Sequence, residues 1–337
     1  MKFIGYIGCK QSLVSFIYDC IKDFSGLDAR EKGFIIADLF AGTGSVGAYF
    51  RSLGCNIIAN DIQYYSYVIN KHIIEGTYLK SNLIPKLNES KGITTGFVYN
   101  NFCYGSGSGR MYFSDKNGMK CDEIREILER FHKSKLISDN DYYYYLSSLI
   151  TSIDKLANTT SVYGAYLKKY KSSSLKELNL IPLDIIDGPI GKVYNEKAED
   201  LINRISGDVL YLDPPYNSRQ YAPNYHVLET IAKYDNPEIK GVTGTRNYES
   251  QKSDFCYKNK ASDALEYIIK NAKFKYIFLS YNNEGIMSLD EIKEIMSKYG
   301  KYKLYNTSYR RFKADKDEKR NIKASSTEEY LHCLEKI

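Results

Sequence analysis

The chain has 337 residues, more than one average domain and enough to bury a core without disulfides or a structural metal. Its 47 basic and 41 acidic residues leave a net charge of +6, compatible with a polyanionic partner but too mild to identify one. No apolar run approaches the ~20 residues that cross a bilayer. Residues 1–8 also lack the basic segment, apolar stretch and cleavage site of a secretory signal, so the sequence reads as a soluble, cytoplasmic protein. Seven cysteines without a C-x-x-C pair and four scattered histidines argue against a disulfide framework or a metal site. The 33 tyrosines, with no tryptophan, fit compositional drift better than a shared function.

In chain order, residues 34–39 read as a short buried strand that runs into a glycine-rich turn, and 46–53 as a helix. Residues 56–60 are the next strand, ending at Asp61, and 62–74 return to helix. This β-α-β-α start predicts an α/β fold with a mostly parallel sheet and right-handed crossovers. Residues 76–120 break the rhythm with Gly, Ser and Asn, including the run Gly105–Gly109, and are followed by helices over 121–133 and 139–157. The four tyrosines Tyr142–Tyr145 sit on the second of these, where only some can face one side; core packing suits them. Asn158–Lys169 mixes hydroxyls, aromatics and lysines, a composition that suits contact with a nucleic-acid backbone. The β-α alternation resumes with strand 192–194, helix 196–205 and strand 208–212. Helix 260–272, strand 276–280 and helix 288–298 follow, and strands 302–309 and 329–334 close the chain as an antiparallel hairpin. A catalytic domain of 1–75 and 185–337, with an inserted, largely helical region at 76–184, is the simplest organisation.

Two turns carry chemistry. Gly42, Gly44 and Gly47 fit G-x-G-x-x-G between strand and helix, where glycine allows close backbone approach and the helix offers free N–H donors. Asp61, 19 positions after Gly42, stands where an acid can bind ribose hydroxyls. A nicotinamide-dependent oxidoreductase has the same layout. Asp38 just before the turn and Phe40 within it point elsewhere: a carboxylate there meets a cationic amino group, not a pyrophosphate. The second turn is Asp213-Pro214-Pro215-Tyr216. Two prolines end the preceding strand, which presents the tetrapeptide at the carboxyl edge of the sheet, where ligands bind in such folds. The exocyclic amine of an adenine is a poor nucleophile, because its lone pair is delocalised into the ring. Asp213 and the Pro214 carbonyl can accept its two hydrogens, and Tyr216 can stack on the base, which must leave the duplex to be reached.

Together these elements resemble the DNA adenine N6-methyltransferases, in the branch of DNA adenine methylases and certain type II modification enzymes, over about two-thirds of the chain. Tyr6-Ile7-Gly8-Cys9-Lys10 resembles the N-terminal family motif whose lysine helps to hold the cofactor, with Cys9 in place of a small polar residue. The resemblance implies a Rossmann-like class I methyltransferase domain with S-adenosylmethionine as cofactor. It assigns cofactor contacts to Tyr6, Gly8, Lys10, Asp38, Phe40, Ala41, Gly42, Thr43, Gly44, Ser45, Asp61, Ile62, Glu196 and Asp213. Catalysis falls to Asp213, Pro214, Pro215 and Tyr216, and double-stranded DNA is the substrate. The segments Asn217–Tyr221, Asn224–Glu229 and Ser280–Gly285 are similar to modification enzymes of asymmetric sites, which implies a monomer and allows a cognate restriction endonuclease.

Candidate DNA contacts follow the catalytic turn: Arg219, Gln220, Tyr221 and Asn224 for phosphates or the gap left by a flipped base. Tyr281 and Asn282 end another strand on the same edge. Arg310 and Arg311 open a basic segment reaching Arg320 that suits phosphate tracking, or equally a solvated hairpin tip. No cysteine has the Pro-Cys context of enzymes that attack a cytosine ring carbon. The nearest alternative is amine methylation in structured RNA; a catalytically silent DNA-binding relic is opposed by the intact tetrapeptide.

Overall fold

The structure, a computed structural model, describes residues 4–6, 8–310 and 326–337, with the side chains of 309, 310, 326 and 327 left aside. Its strands are β1 (Ile35–Asp38), β2 (Asn56–Asn60), β3 (Lys192–Tyr194), β4 (Ser206–Leu212), β5 (Ile239–Lys240), β6 (Thr245–Arg246), β7 (Lys273–Asn282), β8 (Gly300–Arg310) and β9 (Ser326–Lys336). Seven of them form one sheet in the order β3-β2-β1-β4-β7-β9-β8, and β5 pairs with β6 in a separate ribbon. The pairs from β3 to β7 are parallel, whereas β9 runs antiparallel to both β7 and β8. The fold is thus a Rossmann-like α/β sheet closed by an antiparallel hairpin. Because β2 and β3 extend to one side of β1, and β4 and β7 to the other, the order reverses between β1 and β4. Ligands bind outside the strand ends at such a switch point.

The chain divides into two compact units, one of residues 8–75, 186–221 and 250–337 with the large sheet, the other of 1–7, 76–185 and 222–249. In the sheet unit, alternation sorts side chains between two faces. Ala37, Leu39, Leu210, Leu212, Ile277 and Leu279 face one way and form an apolar core with helices Ala261–Asn271 and Leu289–Ser297. The second helix is begun by a capping box of Ser288 and Glu291, which satisfies two otherwise orphaned N–H groups. On the opposite face, helix Val14–Ser25 packs Phe24 edge-on against Phe278, with ring centroids 5.9 Å apart.

The second unit takes in 1–7 and 222–249, segments that the sequence reading assigned to the catalytic domain. Packing explains the difference. Arg125, in helix Asp115–Lys133, donates to the carbonyls of Ile231 and Ala232 at 3.1 Å each, and Arg110 spans the carbonyls of Gly241 and Val242. The stretch 76–120, where the β-α rhythm breaks and the sequence reading assigned no element, contains helices Ile84–Asn88 and Phe97–Phe102. The second starts where the Asp122 carboxylate accepts from the Val98 and Tyr99 amides at 2.9 and 2.8 Å, a cap supplied from a distant residue and so invisible to local rules. In helix Asp139–Leu156, Tyr142, Tyr144 and Tyr145 are buried, as the core reading of the tyrosine run expects. Asn158 and Tyr163 are buried too, while Lys168 and Lys169 are exposed. No helix among the described residues is long and apolar enough to cross a membrane.

Candidate active site

The glycine turn leaves β1 at Asp38 and enters helix Ser45–Ser52 with Gly44 at φ +79°, a left-handed conformation. A side chain at Gly44 would be strained there and would also meet the Asn70 amide oxygen at 2.7 Å. The turn is held from β2: the Gly42 amide donates to Asp61 Oδ2 at 2.8 Å, and the Gln63 amide to Asp61 Oδ1 at 2.8 Å. Asn60 ties the neighbouring strands by donating to the Leu39 and Glu196 carbonyls at 3.1 Å each. Asp61 therefore braces the glycine turn with both oxygens. Ala41, Thr43 and Ser45 are buried within the turn, and Phe40 packs edge-on against Phe255 at 5.3 Å. The Ile62 carbonyl accepts from Gln251. Glu196 directs its carboxylate to Arg204.

The sheet register assembles the second part. Asp38 is opposite Tyr211, Tyr211 opposite Phe278, and Asn282 opposite Glu329. With a period of two along each strand, Asp38, Tyr211, Ser280, Asn282 and Glu329 share one face, and Asp213 continues it just past the end of β4. The N-terminal helix covers that same face, and the turn before it delivers Lys10. Its ammonium lies 3.0 Å from Asp213 Oδ1 and 3.0 Å from Glu329 Oε1, and Ser280 Oγ donates to the same Glu329 oxygen at 2.6 Å. Lys10 is 5% exposed and Glu329 2%, whereas the Asp213 side chain is 19% exposed and so reaches the open side.

Charge is unbalanced here. Burial alone would lower the Lys10 ammonium, but Asp213 and Glu329 outweigh it and hold it well above its ordinary value. Burial pushes Asp213 up to about 6 against the pull of Lys10, and Glu329 adds to the rise. Asp38 is driven well up by burial, then by Asp213 and Asp61. One buried ammonium is thus shared among crowded carboxylates, a donor set that favours a cationic ligand and opposes a pyrophosphate.

Past Asp213, the Tyr216 carbonyl accepts from the Ile286 amide at 2.8 Å and from the Tyr281 hydroxyl at 3.4 Å. Asn282 is hydrogen-bonded to the Tyr216 hydroxyl, whose pKa burial raises. Gly285 is required by the Tyr281 ring, which a Cβ would meet at 2.0 Å. Tyr281, 2% exposed within the apolar core, supports the tetrapeptide from behind. Gln220 likewise spends both ends of its amide on the Ser253 backbone, at 3.0 and 2.8 Å. Arg219 is exposed. Tyr221 lies with its hydroxyl 3.4 Å from the space a Cβ on Gly8 would fill. Tyr6 and Asn224 belong to the unit that holds the inserted segment, where Tyr6 stacks on Tyr225 with centroids 4.9 Å apart and the Asn224 carbonyl accepts from the Tyr163 amide. Arg310 and Arg311, and the basic segment they open, lie outside the described residues and side chains. Glu329 and Ser280 escaped the sequence reading as polar site residues, because nothing in the mixed sequence of β9 marks Glu329 apart from its neighbour Glu328.

The sequence model of the D12 class N6 adenine-specific DNA methyltransferases matches residues 6–295. Type II methyltransferase M.NlaIII of Neisseria lactamica is 47% identical over 336 residues, 99% of each chain. M.CviAII of Paramecium bursaria Chlorella virus 1 is 36% identical over 320 residues, 93% of this chain and 94% of its own. M.FokI of Planomicrobium okeanokoites is 36% identical over 352 residues, and the match takes 98% of this chain but 52% of M.FokI. Crowded carboxylates around a buried lysine at the switch point of a Rossmann-like sheet and an Asp-Pro-Pro-Tyr turn at its edge agree with those relationships: the chain belongs to the D12 class N6 adenine-specific DNA methyltransferases, which take their methyl group from S-adenosylmethionine.

Proposed function

We propose that Asp213 and the Pro214 carbonyl accept the two N6 hydrogens of a flipped-out adenine, with Tyr216 against the face of the base and Pro215 fixing the turn. The observation that carries this reading is the placement of Asp213: paired with a buried lysine, partly exposed, and at the end of β4 beside the glycine turn after β1. Accepting both hydrogens localises the nitrogen lone pair, and no covalent intermediate on the protein is needed. S-adenosylmethionine, when bound, supplies an electrophilic methyl group on a sulfonium centre. The crowded carboxylates of Asp38, Asp61 and Asp213 suit its positive charges. Asp61, at the end of β2 beside the glycine turn, serves the ribose. After transfer, Asp213 is placed to hold the proton that the methylated amine gives up.

Arg219, exposed directly after the catalytic turn, is proposed to contact DNA phosphate. Action as a monomer is proposed from the likeness of Asn217–Tyr221, Asn224–Glu229 and Ser280–Gly285 to modification enzymes of asymmetric sites. The type II names of the relatives support a place beside a restriction endonuclease of the same specificity.

Two measurements test this reading. Because the acceptor must be ionised and Asp213 titrates at about 6, kcat/KM for DNA should be flat above that pH. Below it, activity should fall about tenfold per unit, as for a single essential base. A rate unchanged between pH 5 and 7.5 would remove Asp213 from that role. Asp61→Ala should weaken cofactor binding by roughly 10- to 100-fold, since it removes charge-assisted hydrogen bonds, read by titration calorimetry with S-adenosylhomocysteine. An unchanged dissociation constant would exclude the ribose role.

A further inference from the structure

The Lys10 ammonium presents a difficulty for the chemistry. In the resting site it is buried and bonded to Asp213 at 3.0 Å. If Asp213 turns its oxygens to the amine of a base, a lysine left alone at 5% exposure is an uncompensated buried charge, which is strongly unfavourable. The protein carries a second acid on the same ammonium. Glu329 Oε1 is also 3.0 Å from Lys10 Nζ and is fixed by the Ser280 hydroxyl at 2.6 Å. Its other oxygen, Oε2, is buried and without a hydrogen-bond partner among the described residues, so a spare acceptor adjoins the ammonium.

We infer that Glu329 is a positioning residue for methyl transfer: it is the standing counter-ion of Lys10, and its free oxygen takes up the lysine N–H that Asp213 releases when it engages the target amine. No bond to carbon is made or broken by Glu329. Lys10 stays protonated throughout, and one hydrogen bond moves from Asp213 to Glu329. The inference rests on the reading of Asp213 as the amine acceptor. The other ionisable groups around the pair are Asp38 on β1 and Tyr211 and Tyr216 on and after β4, all facing Asp213. Ser280, a polar neighbour on β7, does not titrate in the working range. Removing the Glu329 charge leaves Lys10 to Asp213 alone, which tightens that pair and makes Asp213 a weaker base.

The substitution that isolates the charge is Glu329→Gln, because its amide oxygen still accepts from Lys10 and Ser280. In the full-length enzyme, with S-adenosylmethionine and a plasmid substrate, the inference expects kcat above pH 7 to fall roughly tenfold, the equivalent of one pKa unit of basicity. The acid limb of the kcat/KM profile should move below its wild-type position, with cofactor affinity and melting temperature close to wild type. Glu329→Asp, which keeps the charge, should recover part of the rate and the wild-type limb. If Glu329→Gln has wild-type kcat, or loses activity with the acid limb unmoved, Glu329 is a structural residue and the inference fails. Asp213→Asn, assayed alongside, separates the two claims. An active Asp213→Asn enzyme with no acid limb defeats the reading of Asp213 itself, whereas an inactive one leaves the Glu329 result to stand or fall alone.

Discussion

Replacing Asp213 by alanine is expected to reduce methyl transfer to DNA by at least about 10³-fold, within the range for loss of a positioned acid–base group and its electrostatics. Folding and cofactor binding should largely survive. The reason lies in who remains bonded to whom. Lys10 keeps its 3.0 Å contact to Glu329, so no buried ammonium is orphaned. Asp213 is held above its ordinary pKa chiefly by burial, so its ionised form is a cost to the fold, not a support. Single-turnover transfer of labelled methyl groups to plasmid DNA reads the first effect, and calorimetry with S-adenosylhomocysteine the second. Activity within tenfold of wild type would show that the amine is gripped by something else.

Replacing Lys10 by methionine is expected to act on both stability and rate. It leaves Asp213 and Glu329 facing one another without their shared cation, and removing one partner of a buried charge pair costs about 3–5 kcal/mol. The loss should depend on pH in a definite sense. Without Lys10, Asp213 loses the ammonium that pulls its pKa down and is pushed further above its unfolded value, so the native state binds more protons than the unfolded chain. Stability then rises as pH falls. Urea unfolding at pH 8 and at pH 5.5 should therefore show the larger deficit at pH 8. The acid limb of kcat/KM should move upward from about 6, opposite in direction to the shift expected of Glu329→Gln. A deficit that is equal at the two pH values would mean that the network is not electrostatically coupled.

Much of this site was legible in the sequence because local covalent facts carry it. Gly44 can adopt a left-handed conformation that a side chain resists. Pro214 and Pro215 must end a strand. Asp38 and Asp213, each at the end of an apolar run, had to emerge at the carboxyl edge of a parallel sheet. The strands and helices flanking these turns were recoverable from periodicity, and their ends differ from expectation by a few residues. β7 runs to Asn282 because β9 continues its ladder through the polar pair Asn282 and Glu329, which no pattern within 276–280 could announce. Helix Phe97–Phe102 was missed because its amide acceptor, Asp122, sits in another helix.

The packing of Tyr281 and Gln220 was not legible in the sequence for a related reason. A polar or aromatic residue next to a catalytic turn looks alike whether it faces a ligand or supports the turn from behind, and only the packing against Tyr216 and Ser253 distinguishes the two.

From the amino-acid order alone came the class of fold, the glycine turn, the tetrapeptide and the adenine chemistry they imply, since each depends on conformational limits set within a few bonds. Three-dimensional folding alone decided that Lys10 would be shared between Asp213 and Glu329, and that residues 222–249 would pack with the inserted segment. Such contacts are set by strand register and by which face a helix covers, and those are properties of the whole sheet, not of any short stretch of chain.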